Sequence, residues 1–330
     1  MPTGWSSLRT AGRPWGIARR GLLLSPIAGG WVMVYLAAAL EDPGRVNPAL
    51  LERGLGWSLL LSAAAAGGLA VFGLGLNDLL DFRRDRLLDR AGEDGVAREA
   101  RPRAEFAKPL WIWTFGALVL ALVAAAGLGR WSWALTAAVG VSVLFYNVAG
   151  RFVPAVGIVT LGLAQGLAMA IPNPWAAFAW PVLLTVTHVI TAGTLERLAE
   201  PPAGRRRSSE VAGILMGWGF WCLVILVLIG QRGGGDVMPP TIWIGPAVAV
   251  LGYGVWAGRL LRQARATQGA ERGEVASSLR RLGLQWLLVY DLAWLLSAGL
   301  WWPAASIAGL MLLLRIGLRT RPEAGGSPQK

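Results

Sequence analysis

The chain has 330 residues, 55% of them hydrophobic and only 15% charged, with 18 Trp, 44 Gly and a formal net charge of +12. Soluble domains carry roughly a quarter charged residues, so this composition argues against a soluble globular enzyme. A single Cys (Cys222) and a single His (His188) exclude a disulfide framework, a multi-Cys zinc site and a multi-His metal cluster. The sequence also lacks a Gly-rich phosphate loop ending in Gly-Lys-Ser/Thr and a Gly-x-Ser-x-Gly turn.

Taken in chain order, runs free of Asp, Glu, Lys and Arg cover residues 21–40, 54–77, 109–129, 131–150, 152–195, 211–231 and 237–258. A helix crosses a bilayer core with about 20 mostly apolar residues. The run 152–195 is long enough for two crossings, and Pro172-Asn173-Pro174 supplies the turn, because Pro cannot continue a helix and restricts the residue before it. Residues 282–314 carry one charge, Asp291, and also suffice for two, with a turn expected near Trp302-Pro303. In hydrocarbon only helices or closed barrels satisfy the backbone, and runs of this length are helices. The expected fold is all-α: a polytopic membrane bundle of nine to ten transmembrane helices. Residues 1–20 form a basic N-terminal segment. The first apolar run is long for a secretory signal and is expected to be retained. Residues 21–318 form the membrane domain, and 319–330 are expected to be a disordered cytoplasmic tail.

The charges test this layout. With the N-terminus in the cytoplasm and ten spans, 27 of the 31 Lys and Arg fall on the inner side and four (Arg45, Arg53, Arg130, Arg232) on the outer. Inner loops of membrane proteins carry such an excess. The positive charge is therefore expected to form a collar at the cytoplasmic surface of a lipid bilayer, and no nucleic-acid partner is expected. The expected location is a bacterial inner (cell) membrane. Tryptophans near span ends, Trp111, Trp113, Trp131, Trp133, Trp301 and Trp302, fit an interfacial belt. Gly162-x-x-x-Gly166 and Gly213-x-x-x-Gly217 read as packing faces.

Two inner loops carry acids, one after span 2 and one after span 6. Each follows the second helix of a block of four, so the chain reads as two similar halves around a central cavity. Span 2 ends in Asn77-Asp78-Leu79-Leu80-Asp81-Phe82-Arg83-Arg84-Asp85. At about 100° per residue, with Asn77 at 0°, Asp81 lies at about 40°, Asp85 at about 80° and Asp78 at about 100°. Four oxygen-bearing side chains thus share one face within two turns. Clustered like charges repel. A divalent cation offsets the repulsion, and Mg²⁺ characteristically takes one or two carboxylates plus substrate phosphate oxygens. The cluster starts where the apolar run stops, which suits a ligand with an apolar tail and a phosphate head. The plainer reading is a solvated loop in which Arg83, Arg84, Arg86 and Arg90 pair with these acids.

The pattern Asn-Asp-x-x-Asp-x-x-x-Asp at the end of the second membrane helix resembles the first motif of the UbiA superfamily, intramembrane enzymes that move an isoprenoid chain from its diphosphate to an aromatic or other lipophilic acceptor. Arg101-Pro102 resembles the pair that closes the same loop. The resemblance implies that Asn77, Asp78, Asp81 and Asp85 bind Mg²⁺ and the prenyl diphosphate, with Asp81 and Asp85 central to catalysis. It also implies that Arg84, Arg101, Tyr146 and Arg151 contact substrate. The family has an Asp-x-x-x-Asp cluster after span 6. This chain has no Asp there, and Glu196 and Glu200, four apart on one helix face, stand in its place as substrate-binding candidates. Thr194 with Glu200 resembles an alternative pattern of divergent members. The plainer reading pairs both glutamates with Arg197 and Arg205–Arg207. The function implied is Mg²⁺-dependent prenyl transfer within the membrane. The alternative is a non-catalytic relative that binds or carries an isoprenoid or lipid-like molecule.

Asp291 interrupts an apolar stretch, and an ionisable group at membrane depth is a functional candidate. A protonated or hydrogen-bonded structural role is the competing reading. His188, alone in an apolar helix, reads as a packing or hydrogen-bonding residue.

Overall fold

The computed structural model describes residues 17–40, 46–90, 107–200, 207–233, 239–267 and 269–319, without the side chains of residues 17–22, 82–90, 107–108, 207, 269–270 and 313–319. Arg101, the Arg205-Arg206 pair, the basic N-terminal segment up to residue 16 and the tail from residue 320 lie outside the described residues, as do the side chains of Arg84 and Asp85.

The described residues form helices and no strand. They are α1 (Ile17–Leu40), α2 (Pro48–Arg53), α3 (Leu55–Arg90), α4 (Ala107–Gly127), α5 (Arg130–Val148), α6 (Pro154–Ala170), α7 (Trp180–Ala199), α8 (Arg207–Gln231), α9 (Ile244–Ala266), α10 (Gly269–Ser297) and α11 (Trp301–Arg319). Every apolar segment expected to span falls in one of the ten longer helices, and α2 is an additional short piece at one end. Six helices (α1, α3, α4, α5, α8 and α9) are long and apolar enough to cross a membrane. The outward faces of α4 and α8 carry Ile112, Trp113, Val119, Leu215, Met216 and Phe220, all exposed. Such faces are stable only against lipid or another apolar surface, and the chain is an integral membrane protein.

Two connections differ from the expectation. The turn near Trp302-Pro303 lies at residues 298–300 instead, where Gly299 adopts φ +74°, a left-handed conformation favoured by glycine. Trp302 and Pro303 belong to the first turn of α11, where a proline's missing N–H is one the helix does not use. α10 starts at Gly269 and not near residue 282, so its first turns carry Arg272, Arg280 and Arg281. The Pro172-Asn173-Pro174 break falls where expected and is pinned. Asn173 Oδ1 accepts from the Asn47 backbone N–H at 3.1 Å, and Asn47 Nδ2 donates to the carbonyls of Leu128 (2.7 Å) and Pro172 (2.8 Å).

The halves repeat a packing scheme. α3 packs against α1, α4 and α5, and α7 packs against α6, α8 and α9. α10 joins them by packing against α7, α9 and α1. The glycine pairs act as packing faces. A Cβ at Gly162 would stand 2.6 Å from Ile190 Cγ1, and one at Gly166 would collide with Val186, so α6 and α7 approach closely. Gly213 and Gly217 of α8 face Ala155 and Val159 of α6 in the same way. The core runs through α1, α6, α7, α10 and α11, with Val32, Met33, Leu36, Met169, Leu288 and Trp294 fully buried. Phe178 and Trp243 meet Trp294 edge to face at 5.4 and 5.5 Å. At mid-depth, where the sequence places a central cavity, α1, α6, α7 and α10 enclose a void of about 10 Å³.

Candidate functional site

The two acidic positions sit at the same end of the bundle, tied together by the α5–α6 connection. α3 continues as one helix past its apolar portion, which ends at Asp81. That continuity puts Asn77 and Asp81 on one face, and Asn77 Nδ2 donates to Asp81 Oδ2 at 3.0 Å. Arg151, on a 3-10 turn of residues Gly150–Phe152, reaches both: its terminal nitrogen donates to Asp81 Oδ1 at 2.8 Å and to Asn77 Oδ1 at 3.1 Å. The turn is held tightly, because Gly157 of α6 lies so close that a Cβ there would stand 2.5 Å from the Gly150 carbonyl oxygen. The Arg151 side chain is 15% exposed and that of Asp81 49%. Arg151 Nε is buried with no hydrogen-bond partner among the described residues. A buried donor without an acceptor is costly, and here it stands beside a half-exposed carboxylate. Asp78 is half-buried on the adjoining face.

In the second half, α7 ends just past the apolar run. Glu196 is mostly buried there. Burial pushes its carboxyl up to about 7, opposed by the Arg280 charge and aided by the like charge of Glu200. Arg280 reaches across from α10, with Nε 3.8 Å from Glu196 Oε2, and donates to the Tyr146 hydroxyl at 3.3 Å. Tyr146 is on the last turn of α5, five residues before Arg151. The polar chain therefore runs Asn77, Asp81 and Arg151, then along the chain to Tyr146, Arg280 and Glu196. Glu200 takes the plainer role weighed for it: Arg197 donates to it at 2.7 Å. Arg272 donates to the Ala199 carbonyl at 2.6 Å and ties α10 to the C-terminal end of α7. Thr194 bonds back to the Ile190 carbonyl at 2.7 Å, a local helix contact.

The sequence reading missed Arg280. It stood among the basic residues of an inner loop, counted as a topology signal. Its position carried one clue: it lies two residues before the apolar run that starts at 282, as Glu196 lies one residue after the run that ends at 195. Nearly equal distances from the apolar boundary put the two residues at about one membrane level.

His188 plays the packing role expected of it. Its Nε2 is 2.7 Å from the Gly283 carbonyl, its Nδ1 is 3.0 Å from the Tyr290 hydroxyl, and the Tyr253 ring lies against it at 4.3 Å.

The donor chemistry fits a hard cation on the first-half side. Asp78, Asp81 and Asn77 offer only oxygen ligands within one helical turn, and Mg²⁺ needs one or two carboxylates when phosphate oxygens complete its shell. Both Asp81 oxygens already accept hydrogen bonds, so a cation there competes with Arg151. Among the described residues no group of three His, Cys, Asp or Glu side chains gathers closely enough to cage a metal alone.

No family model and no curated protein matches the chain. Among solved structures it is similar to one from a study of digeranylgeranylglyceryl phosphate synthase in membranes. The TM-score is 0.52 at 12% identity, over 85% of this chain and 97% of that one. An apo UbiA homolog from Aeropyrum pernix K1 matches with a TM-score of 0.49 at 16% identity, over 80% of this chain and 94% of that one. The helical membrane bundle that the sequence resemblance implied is thus the fold observed, and it is shared with the synthase along nearly its whole length.

Proposed function

We propose that the chain is an intramembrane prenyltransferase of the UbiA type, which moves a prenyl group from its diphosphate to an aromatic or other lipophilic acceptor. The observation that carries this reading is the polar chain at one end of an apolar bundle. Two arginines from different elements, Arg151 and Arg280, are held between carboxylates of opposite halves, and Arg151 keeps an unused buried donor. Arginine suits the planar, bidentate recognition of phosphate. The motif resemblance and the fold shared with the synthase point to the same substrate class.

In this reading the diphosphate enters between the halves. Arg151 turns its free Nε–H, and Arg280 its guanidinium, toward the phosphate oxygens, with the Tyr146 hydroxyl beside them. Asp81 and Asp85, with Asn77 and Asp78 in support, would hold Mg²⁺, which when bound would supply further neutralisation of the diphosphate charge. Asp81 orients Arg151 and releases part of it as the anion arrives. The bond between the prenyl C1 and the diphosphate oxygen breaks with its electron pair leaving on that oxygen, which the gathered positive charge stabilises. A new bond then forms from the acceptor to C1, and the acceptor loses a proton. The apolar helices keep water from the electron-poor carbon. The 10 Å³ void is far smaller than a prenyl chain, so the chain seats along the helices and not in that void.

The 27-to-4 division of Lys and Arg supports placing this end at the cytoplasmic face of a bacterial cell membrane. A second reading, a non-catalytic isoprenoid binder, is favoured by one observation: the second-half glutamates are engaged by Arg280 and Arg197.

Product analysis tests the choice. Purified protein with Mg²⁺, a prenyl diphosphate and a panel of lipophilic acceptors is expected to release diphosphate and form prenylated product. In Asp81→Ala the rate is expected to fall by about 10²–10³, the range seen when a charge-stabilising group is removed. Binding of prenyl diphosphate without release establishes the carrier reading instead.

A further inference from the structure

The void at mid-depth belongs to neither acidic end. Ser25 and Pro26 of α1, Gln165 and Met169 of α6, Thr185 of α7 and Asp291 of α10 line it. Its volume of about 10 Å³ holds one water or one small ion. Asp291 is 3% exposed, and its Oδ2 has no hydrogen-bond partner among the described residues. Eleven residues along α10 separate Asp291 from Arg280, and the same number along α7 separate Thr185 from Glu196. At helical rise each span is about 16 Å, which puts the void near the middle of the membrane.

The polar groups around it offer acceptors. Thr185 gives its hydroxyl proton to Met169 Sδ at 3.5 Å, so its oxygen lone pairs remain. Gln165 donates from Nε2 to Ser25 Oγ at 3.4 Å, which leaves its carbonyl oxygen as an acceptor. Pro26 lies inside α1 and has no N–H, so the carbonyl four residues before it lacks its helical donor. A carboxylate among acceptors at membrane depth needs a positive partner. One negative charge, several neutral oxygens and room for one particle describe a site for a dehydrated monovalent cation. A divalent ion leaves a net positive charge in hydrocarbon, and Mg²⁺ sheds its water reluctantly.

We propose that Asp291, with the oxygens of Ser25, Gln165 and Thr185, binds one monovalent cation of sodium size in the core of the bundle. The site clamps α1, α6, α7 and α10 together, and it does not depend on the diphosphate reading.

Thermal unfolding of the full chain in detergent tests this, with NaCl, KCl or choline chloride at equal ionic strength. Na⁺ is expected to raise the melting temperature by several degrees in a saturable way, with K⁺ and choline giving no such rise. Asp291→Asn is expected to abolish the Na⁺ effect, and Thr185→Val to shift it to higher Na⁺ concentration. If Asp291→Asn does not fold, Thr185→Val alone decides. Identical melting of the natural chain in all three salts overturns the proposal and leaves Asp291 as a protonated group beside a water. A Na⁺ effect undiminished in the variants also overturns it, because the ion then binds elsewhere.

Discussion

α3 and α7 occupy matching places in their halves, and each brings an acid to the same end of the bundle. In the first half Asp81 is half-exposed and shares its charge with Arg151 and Asn77 at hydrogen-bond distance. In the second half Glu196 is mostly buried, and Arg280 Nε stands 3.8 Å from it, beyond hydrogen-bond reach. Water reaches the first acid, whereas burial drives the second toward its neutral form. In the proposed reading the first half presents its carboxylates to a cation. The second presents an arginine whose counter-charge is weak. A repeated scaffold carries two unlike electrostatic clusters at one end.

This contrast orders the expected effects of substitution. Arg280→Gln removes the second half's cation and its link to Tyr146. Prenyl diphosphate affinity should fall roughly 10- to 100-fold, the usual cost of losing a hydrogen bond to a charged group, with calorimetric titration as the check. An unchanged affinity would place the anion in the first half alone.

Glu196→Gln bears on pH. The folded chain holds the Glu196 proton up to about 7, against an ordinary value of 4.5. The folded state therefore binds more protons than the unfolded state between those values, and stability falls as pH rises through that window. Melting curves in detergent should show this decline in the natural chain and a flatter profile in Glu196→Gln. In the same variant, diphosphate affinity should lose the part of its rise below pH 7 that comes from neutralising Glu196 beside Arg280. Equal pH profiles for the two proteins would remove Glu196 from the account.

The smallest effect belongs to Glu200. Its pairing with Arg197 is exposed and local, a type worth about 0–1 kcal/mol. Glu200→Gln should change diphosphate affinity by less than about fivefold, the factor whose RT ln is about 1 kcal/mol. A large loss would mean that the second acid pair works as a unit.

Much of this was legible in the chain because membrane helices announce themselves. Each long apolar run became part of a helix, and the 100° rule placed Asn77 and Asp81 side by side, as their hydrogen bond shows. Pro172-Asn173-Pro174 broke the chain where expected because proline acts locally. The start of α10 was not legible, since its first turns are polar and read as loop until packing against α7 and α9 orders them. Arg280 was hidden for a related reason: its partners Glu196 and Tyr146 are distant in sequence, and only the fold brings them to one level. Asp291 was visible as an anomaly, but the unpartnered oxygen and the void beside it depend on four helices meeting.

The central claim is that both halves grip one diphosphate, the first through its carboxylates and a cation. The most direct measurement is the affinity of an unreactive prenyl thiodiphosphate, with and without Mg²⁺, for the natural chain and Asp81→Ala. The account predicts tight, Mg²⁺-strengthened binding in the natural chain, and weaker binding indifferent to Mg²⁺ in the variant. Equal binding by both proteins, or the same Mg²⁺ enhancement in both, would contradict it.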